Sequence, residues 1–92
     1  MKDTFSLLER LRCYHRYSRY CFRTEPDTAS FVKDFVGRGD ICIDVGAHKG
    51  VVTQMMLRQA GAGGRIYAIE PQPELFIWLE RMTKTFGYGN VL

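Results

Sequence analysis

The 92-residue sequence predicts an α/β chain: the first half of a doubly wound parallel sheet, with about three strands, preceded by an amphipathic N-terminal helix. Three observations carry that expectation. Two short β-rich runs, ICIDV at residues 41–45 and RIYAIE at 65–70, carry an acid at or next to their ends, Asp44 and Glu70. Segments with helical spacing follow each of them. Glycine-containing turns separate the pieces, as short βα and αβ connections require.

Residues 4–22 repeat apolar groups at helical spacing. Leu7, Leu8, Leu11, Tyr14, Tyr17 or Ser18, and Cys21 fall on one face, expected to turn inward. Arg12, Arg16, Arg19 and Arg23 form a basic stripe on another, expected to be a solvated face on a helix that packs against the body or a partner subunit. Residues 1–23 hold six basic and two acidic residues, net +4, whereas residues 24–92 are net −1. The basic character thus belongs to this helix, and the organisation reads as residues 1–26, basic helix and linker, then 27–92, the sheet-forming domain. Asp27 or Thr28 is expected to cap a short helix with Phe31, Val32, Phe35 and Val36 as its apolar face. Arg38-Gly39-Asp40 reads as the turn into the first strand.

Ile41–Val45 lacks polar alternation until Asp44, which suits a parallel strand buried on both faces. Residues 51–60 continue as a helix with Val52, Met55 and Met56 inward. After the GAGG turn at residues 61–64 comes the second strand. Pro73 opens the next helix in the first-turn position that proline favours, Leu75, Leu79, Met82 and Phe86 are expected inward, and Gly87 closes it. Asn90-Val91-Leu92 reads as the start of a third strand.

Composition excludes several classes. With 46% hydrophobic and 25% charged residues, the chain is an ordinary globular domain. No apolar run approaches the roughly 20 residues that span a bilayer, and no signal peptide is evident. Cys13, Cys21 and Cys42 match neither a zinc pattern nor a disulfide framework; reduced thiols in a cytoplasmic protein, and no metal site, are the expectation.

Ligands of open parallel sheets bind beyond the carboxyl ends of the strands. Asp44, Gly46 and Gly50 occupy one such end and Glu70 the next. Gly46 allows a tight turn, Gly50 lets the following helix start close under a ligand, and that helix offers free N–H groups. An acid at Glu70 can accept hydrogen bonds from ribose hydroxyls. The dinucleotide fingerprint G-x-G-x-x-G fails, because His48 and Val51 stand where glycine is needed, and Lys49-Gly50-Val51 is no P-loop. The looser D-x-G-x-x-x-G form suits a nucleoside without pyrophosphate. S-adenosylmethionine fits, with its ribose at Glu70, its methionine end over the Gly46–Gly50 turn and Asp44 near its ammonium.

The stretches GDICIDVGAHKGVVT and GGRIYAIEPQPELFIWL resemble the start of a Rossmann-like class I methyltransferase that uses S-adenosylmethionine. More narrowly they resemble the FkbM family, whose pattern is close to D-V-G-A-N-x-G-x-x-T followed by E-P-x-P-x-x-F-x-x-L. The resemblance covers roughly residues 39–92. It implies an O-methyltransferase acting on a hydroxyl of a small molecule or glycan, with cofactor positions at Asp44, Val45, Gly46, Ala47, His48, Gly50, Thr53, Glu70, Pro71 and Pro73. His48 departs from the usual asparagine and Lys49 from an apolar residue. No residue pair qualifies as the catalytic base. The resemblance also implies a seven-stranded sheet, so the chain is expected to be a fragment, or to dimerise over a bare sheet edge. The competing reading is a non-catalytic module that binds a partner through the basic helix and open edge. A nucleic-acid role, suggested by tyrosines among the arginines, is disfavoured by the net negative body.

Overall fold

A computed structural model describes residues 4–21 and 26–88. Six elements follow one another: α1 (Leu7–Arg19), α2 (Pro26–Phe35), β1 (Ile41–Val45), α3 (Val51–Ala60), β2 (Arg65–Ile69) and α4 (Pro73–Phe86). β1 and β2 pair in parallel, with Ile41 opposite Arg65 and Val45 opposite Ile69. α3 is the crossover between them, so the centre of the fold is a βαβ unit. The third strand read at Asn90–Leu92 lies outside the described residues.

The side chains of α3 explain why the unit closes. Thr53, Gln54, Met55, Met56, Leu57 and Ala60 are all buried, five of them consecutive, because α3 is covered on several sides. Met55, Met56, Leu57 and Ala60 pack with Ile66 of β2 and Val32 of α2. A second cluster joins Phe5, Cys13, Ala47, Leu79 and Met82. It ties α1, the loop after β1 and α4 into one body.

α4 begins with Pro73 at its first turn and ends at Gly87, whose φ of 69° is the left-handed cap that glycine supplies. Leu79 and Met82 are buried as the spacing predicts, while Phe86 is partly exposed and Leu75 half-buried. Arg38-Gly39-Asp40 is a turn, closed by the Asp40 carboxylate accepting from the Gly37 N–H at 2.8 Å.

Three expectations are corrected. The predicted inward face of α1 holds only toward its C-terminal end: Leu7, Leu8, Leu11 and Tyr14 are exposed and Cys13 is its buried residue, while Tyr17 and, just beyond the helix, Cys21 pack against the core. The cause lies upstream. Phe5 is buried, packs with its ring tilted by 42° against Trp78 at 4.4 Å between centroids, and donates its N–H to Thr85 Oγ1 at 2.7 Å. Ser6 then caps the helix in a reciprocal box with Glu9, and Glu9 forms a two-pronged ion pair with Arg81 of α4, at 2.7 and 2.8 Å. These anchors fix the roll of α1 against the leucine stripe. In the same way, Phe31 and Phe35 of α2 are exposed and stack on each other at 4.5 Å, leaving Val32 as the buried residue of that helix. Finally, β1 is covered on one face. Ile41, Ile43 and Val45, with Tyr67 and Ile69 beside them, are exposed on the face opposite α3, where no described element packs.

Candidate cofactor site

The site is built where β1 and β2 end. The chain leaves β1 in a turn through Gly46, whose φ is 77°, and folds back over the end of β2. The N–H groups of Gly46 and Ala47 both donate to the Ile69 carbonyl, at 2.8 and 3.0 Å. These bonds hold the two strand ends and their acids side by side. A Cβ on Gly46 would meet nothing within 4 Å, so this turn borders open space.

Glu70 is buried, with 8% of its surface exposed. Its Oε1 accepts the His48 N–H at 2.9 Å and its Oε2 accepts the Gln72 N–H at 3.0 Å. One carboxylate therefore pins the loop after β1 to the start of α4. Each oxygen retains further acceptor capacity, since a carboxylate offers about four lone-pair positions. His48 has φ 55°, a left-handed conformation that histidine and asparagine tolerate better than most side chains. That backbone requirement accounts for His48 standing where asparagine is usual: both residues fit the turn, and the turn is what Glu70 holds.

Asp44 is half-buried and points into the same region. Its Oδ2 accepts the hydroxyl proton of Thr53 at 2.6 Å, and Thr53 is fully buried. Thr53 thus orients Asp44 from beneath. Gly50 is also explained differently from the sequence expectation. Its φ is 84°, and a Cβ there would lie 2.7 Å from Leu79 Cδ2 and 2.8 Å from Met82 Cε. The absent side chain lets the loop close onto α4. Ala47 is buried in the same cluster, whereas Val45 and Pro71 stand exposed at the two strand ends.

A cavity of about 340 Å³ opens beside this loop, lined by Arg16, Tyr20, Asp44, Gly46, His48 and Lys49 among others. Arg16 and Tyr20 come from the α1 region and were not read from the sequence as site residues. The arginine spacing was visible, but the roll of the helix that brings Arg16 inward depends on Phe5 and Arg81, distant in sequence. Arg16 and Lys49 both stand over the Trp78 ring, at 5.3 and 5.4 Å from its centroid. Arg16 Nη1 is buried without a hydrogen-bond partner among the described residues.

The donor set fits S-adenosylmethionine on chemical grounds. Open space lies over a backbone turn, one buried and one half-buried carboxylate stand at adjacent strand ends, and Arg16 lines the cavity. No group of three His, Cys, Asp or Glu side chains that could hold a metal ion occurs among the described residues. No helix among them is long and apolar enough to cross a membrane. Cys13, Cys21 and Cys42 form no disulfide.

A parallel βαβ unit with its open turn and paired acids at the strand ends is a Rossmann-like arrangement. Residues 44–92, more than half of the chain, match the FkbM methyltransferase domain, and the chain belongs to that family. Among solved structures, it is similar to a proposed rRNA-methylase from Clostridium thermocellum, with TM-score 0.68 and 19% identity over 73% of this chain and 38% of that one. It is similar also to a SAM-dependent methyltransferase from Aquifex aeolicus, with TM-score 0.66 and 22% identity over 85% of this chain and 44% of that one. The chain therefore spans less than half the length of either. No curated protein matches it.

Proposed function

We propose that these residues form the cofactor-holding part of an S-adenosylmethionine-dependent O-methyltransferase that modifies a hydroxyl of a small molecule or glycan. The observation that carries this reading is the shared frame of Asp44 and Glu70: two acids on adjacent strand ends, locked by Thr53 and by the His48 and Gln72 amides. When bound, the cofactor supplies a methyl group activated by its sulfonium. Asp44 would hold the ammonium of the methionine end, oriented by Thr53. Glu70 would accept from the ribose hydroxyls with the lone pairs that the loop amides leave over. Gly46, Ala47 and His48 would form the backbone floor, Gly50 and Thr53 would support it, and Val45 and Pro71 would frame the two strand ends. Methylation of a hydroxyl further needs removal of its proton and alignment with the methyl group; none of these residues is given that role. We place the protein in the cytoplasm, where three cysteines without disulfides remain reduced.

Titration of S-adenosylmethionine into the chain by calorimetry tests the reading. Saturable binding is expected. The substitution Asp44→Asn, which keeps an acceptor for Thr53 but removes the charge, is expected to weaken it about tenfold or more, the scale of a lost charge-assisted hydrogen bond. A folded chain that binds no S-adenosylmethionine would refute it. That result would favour a partner-binding module, for which the uncovered apolar face of Ile41, Ile43, Val45 and Ile69 is the specific supporting observation.

A further inference from the structure

Arg16 and Lys49 have no counterpart in the motif that identifies the family. Lys49 occupies an unspecified position of that pattern, and Arg16 lies outside the matched residues 44–92. Yet both line the cavity beside Asp44 and Gly46, and both stand over the same indole. Two cations gathered at one ring repel each other, and an anion beside them offsets that repulsion. Arg16 Nη1 is moreover buried without a partner among the described residues, as is Trp78 Nε1. A guanidinium with one nitrogen removed from water and left unmatched is unfavourable, and an anion in the cavity that its side chain lines would offset that cost electrostatically.

The identity of the anion follows from the third charge. Asp44 opens onto the same cavity, so a bare phosphate or sulfate would meet a like charge as well as two opposite ones. A ligand bearing an ammonium and a carboxylate on one carbon satisfies all three groups. We infer that Arg16 and Lys49 form a carboxylate subsite that, together with Asp44, recognises the zwitterionic α-amino-acid end of the cofactor. The N-terminal helix is then part of the cofactor site, carried there by the Phe5 and Glu9–Arg81 anchors. The guanidinium presents donors in a planar fork that matches a carboxylate, and Lys49 adds a second charge from the loop itself. This inference rests on the proposed cofactor reading.

Calorimetric binding of S-adenosylmethionine and of decarboxylated S-adenosylmethionine to the 92-residue chain separates the two. Both ligands keep the adenosine, sulfonium and ammonium; only one has the carboxylate. The chain is expected to prefer S-adenosylmethionine by roughly ten- to hundredfold, the factor associated with a charge-assisted hydrogen bond. Arg16→Gln and Lys49→Gln are each expected to shrink that preference while leaving the affinity for the decarboxylated ligand unchanged, and Arg16→Lys to retain part of it. Equal affinity of the unsubstituted chain for the two ligands would overturn the subsite and leave the cofactor reading standing. Variants that weaken both ligands alike would also overturn it. Failure of the folded, unsubstituted chain to bind either ligand would overturn the cofactor reading and the subsite with it. The comparison on the unsubstituted chain holds even if a variant does not fold.

Discussion

Gly50→Ala isolates the contact that seats the site on the rest of the molecule. Two effects add at this position. An alanine would have to adopt the left-handed φ of 84°, at about 1–2 kcal/mol. Its Cβ would also come within 2.7 Å of Leu79 Cδ2 and 2.8 Å of Met82 Cε. Both neighbours are buried, Met82 completely, so neither can swing into solvent, and overpacking of this kind costs about 1–3 kcal/mol. Met82 is flexible enough to absorb part of the clash, which brings the expected total to about 2–4 kcal/mol. A domain of this length is stable by about 5–14 kcal/mol, so a large fraction is lost. Gly46→Ala is the control: φ is 77° but a Cβ meets nothing within 4 Å, leaving the backbone effect of about 1–2 kcal/mol. Urea unfolding followed by circular dichroism reads both. With a slope of about 1–2 kcal/mol per molar, Gly50→Ala should lower the midpoint by at least about 1 M, and by clearly more than Gly46→Ala. Equal midpoints for the two variants would refute the packing argument.

Three further predictions concern the anchors and the strand-end frame. The Arg81 side chain, followed by the Ser6 cap, holds the Glu9 carboxyl below its ordinary range, so this contribution is full above the ordinary glutamate pKa and is lost as pH falls through the depressed value; Glu9→Gln should flatten that acid limb in pH-dependent melting curves. Thr53→Val keeps the shape but leaves Asp44 without its donor, and should lower stability by about 1–3 kcal/mol in urea unfolding, with Thr53→Ser restoring most of it. Burial pushes the Tyr17 phenol up to about 12, against the Arg58 guanidinium that pulls it down; because the folded form holds this proton more tightly, stability should fall as pH rises from about 10 toward 12, and ultraviolet titration should show one tyrosine ionising late in the chain and not in Tyr17→Phe.

The strand-end acids, the glycine turn, the proline-started α4 and its glycine cap were legible in the sequence, because each rests on a local rule: an apolar run, a left-handed backbone, a missing N–H. The setting of α1 was not. Its leucine stripe has the stronger periodic signal, but the helix follows Phe5, Ser6 and Glu9, whose partners Trp78, Thr85 and Arg81 lie more than 70 positions away. The Ser6-x-x-Glu9 capping box has a local sequence signature that went unread, and the ion pair it presents has none. The same limit hid Arg16 from the site, since a residue's place in a cavity depends on the roll of its helix. Sequence also assigned Gly50 to ligand approach, where the side chains of α4 supply the reason. On β1 the apolar run predicted burial on both faces, and periodicity alone does not say what covers the second.

The central claim is that S-adenosylmethionine sits at the carboxyl ends of β1 and β2. Amide chemical shifts of the ¹⁵N-labelled chain, recorded with and without the cofactor, test it most directly. The largest changes are expected on residues 46–52, Glu70 and Gln72, with Arg16 and Tyr20 following and α2 unaffected. Saturating changes centred on α2, or an unchanged spectrum of the folded chain, would contradict it.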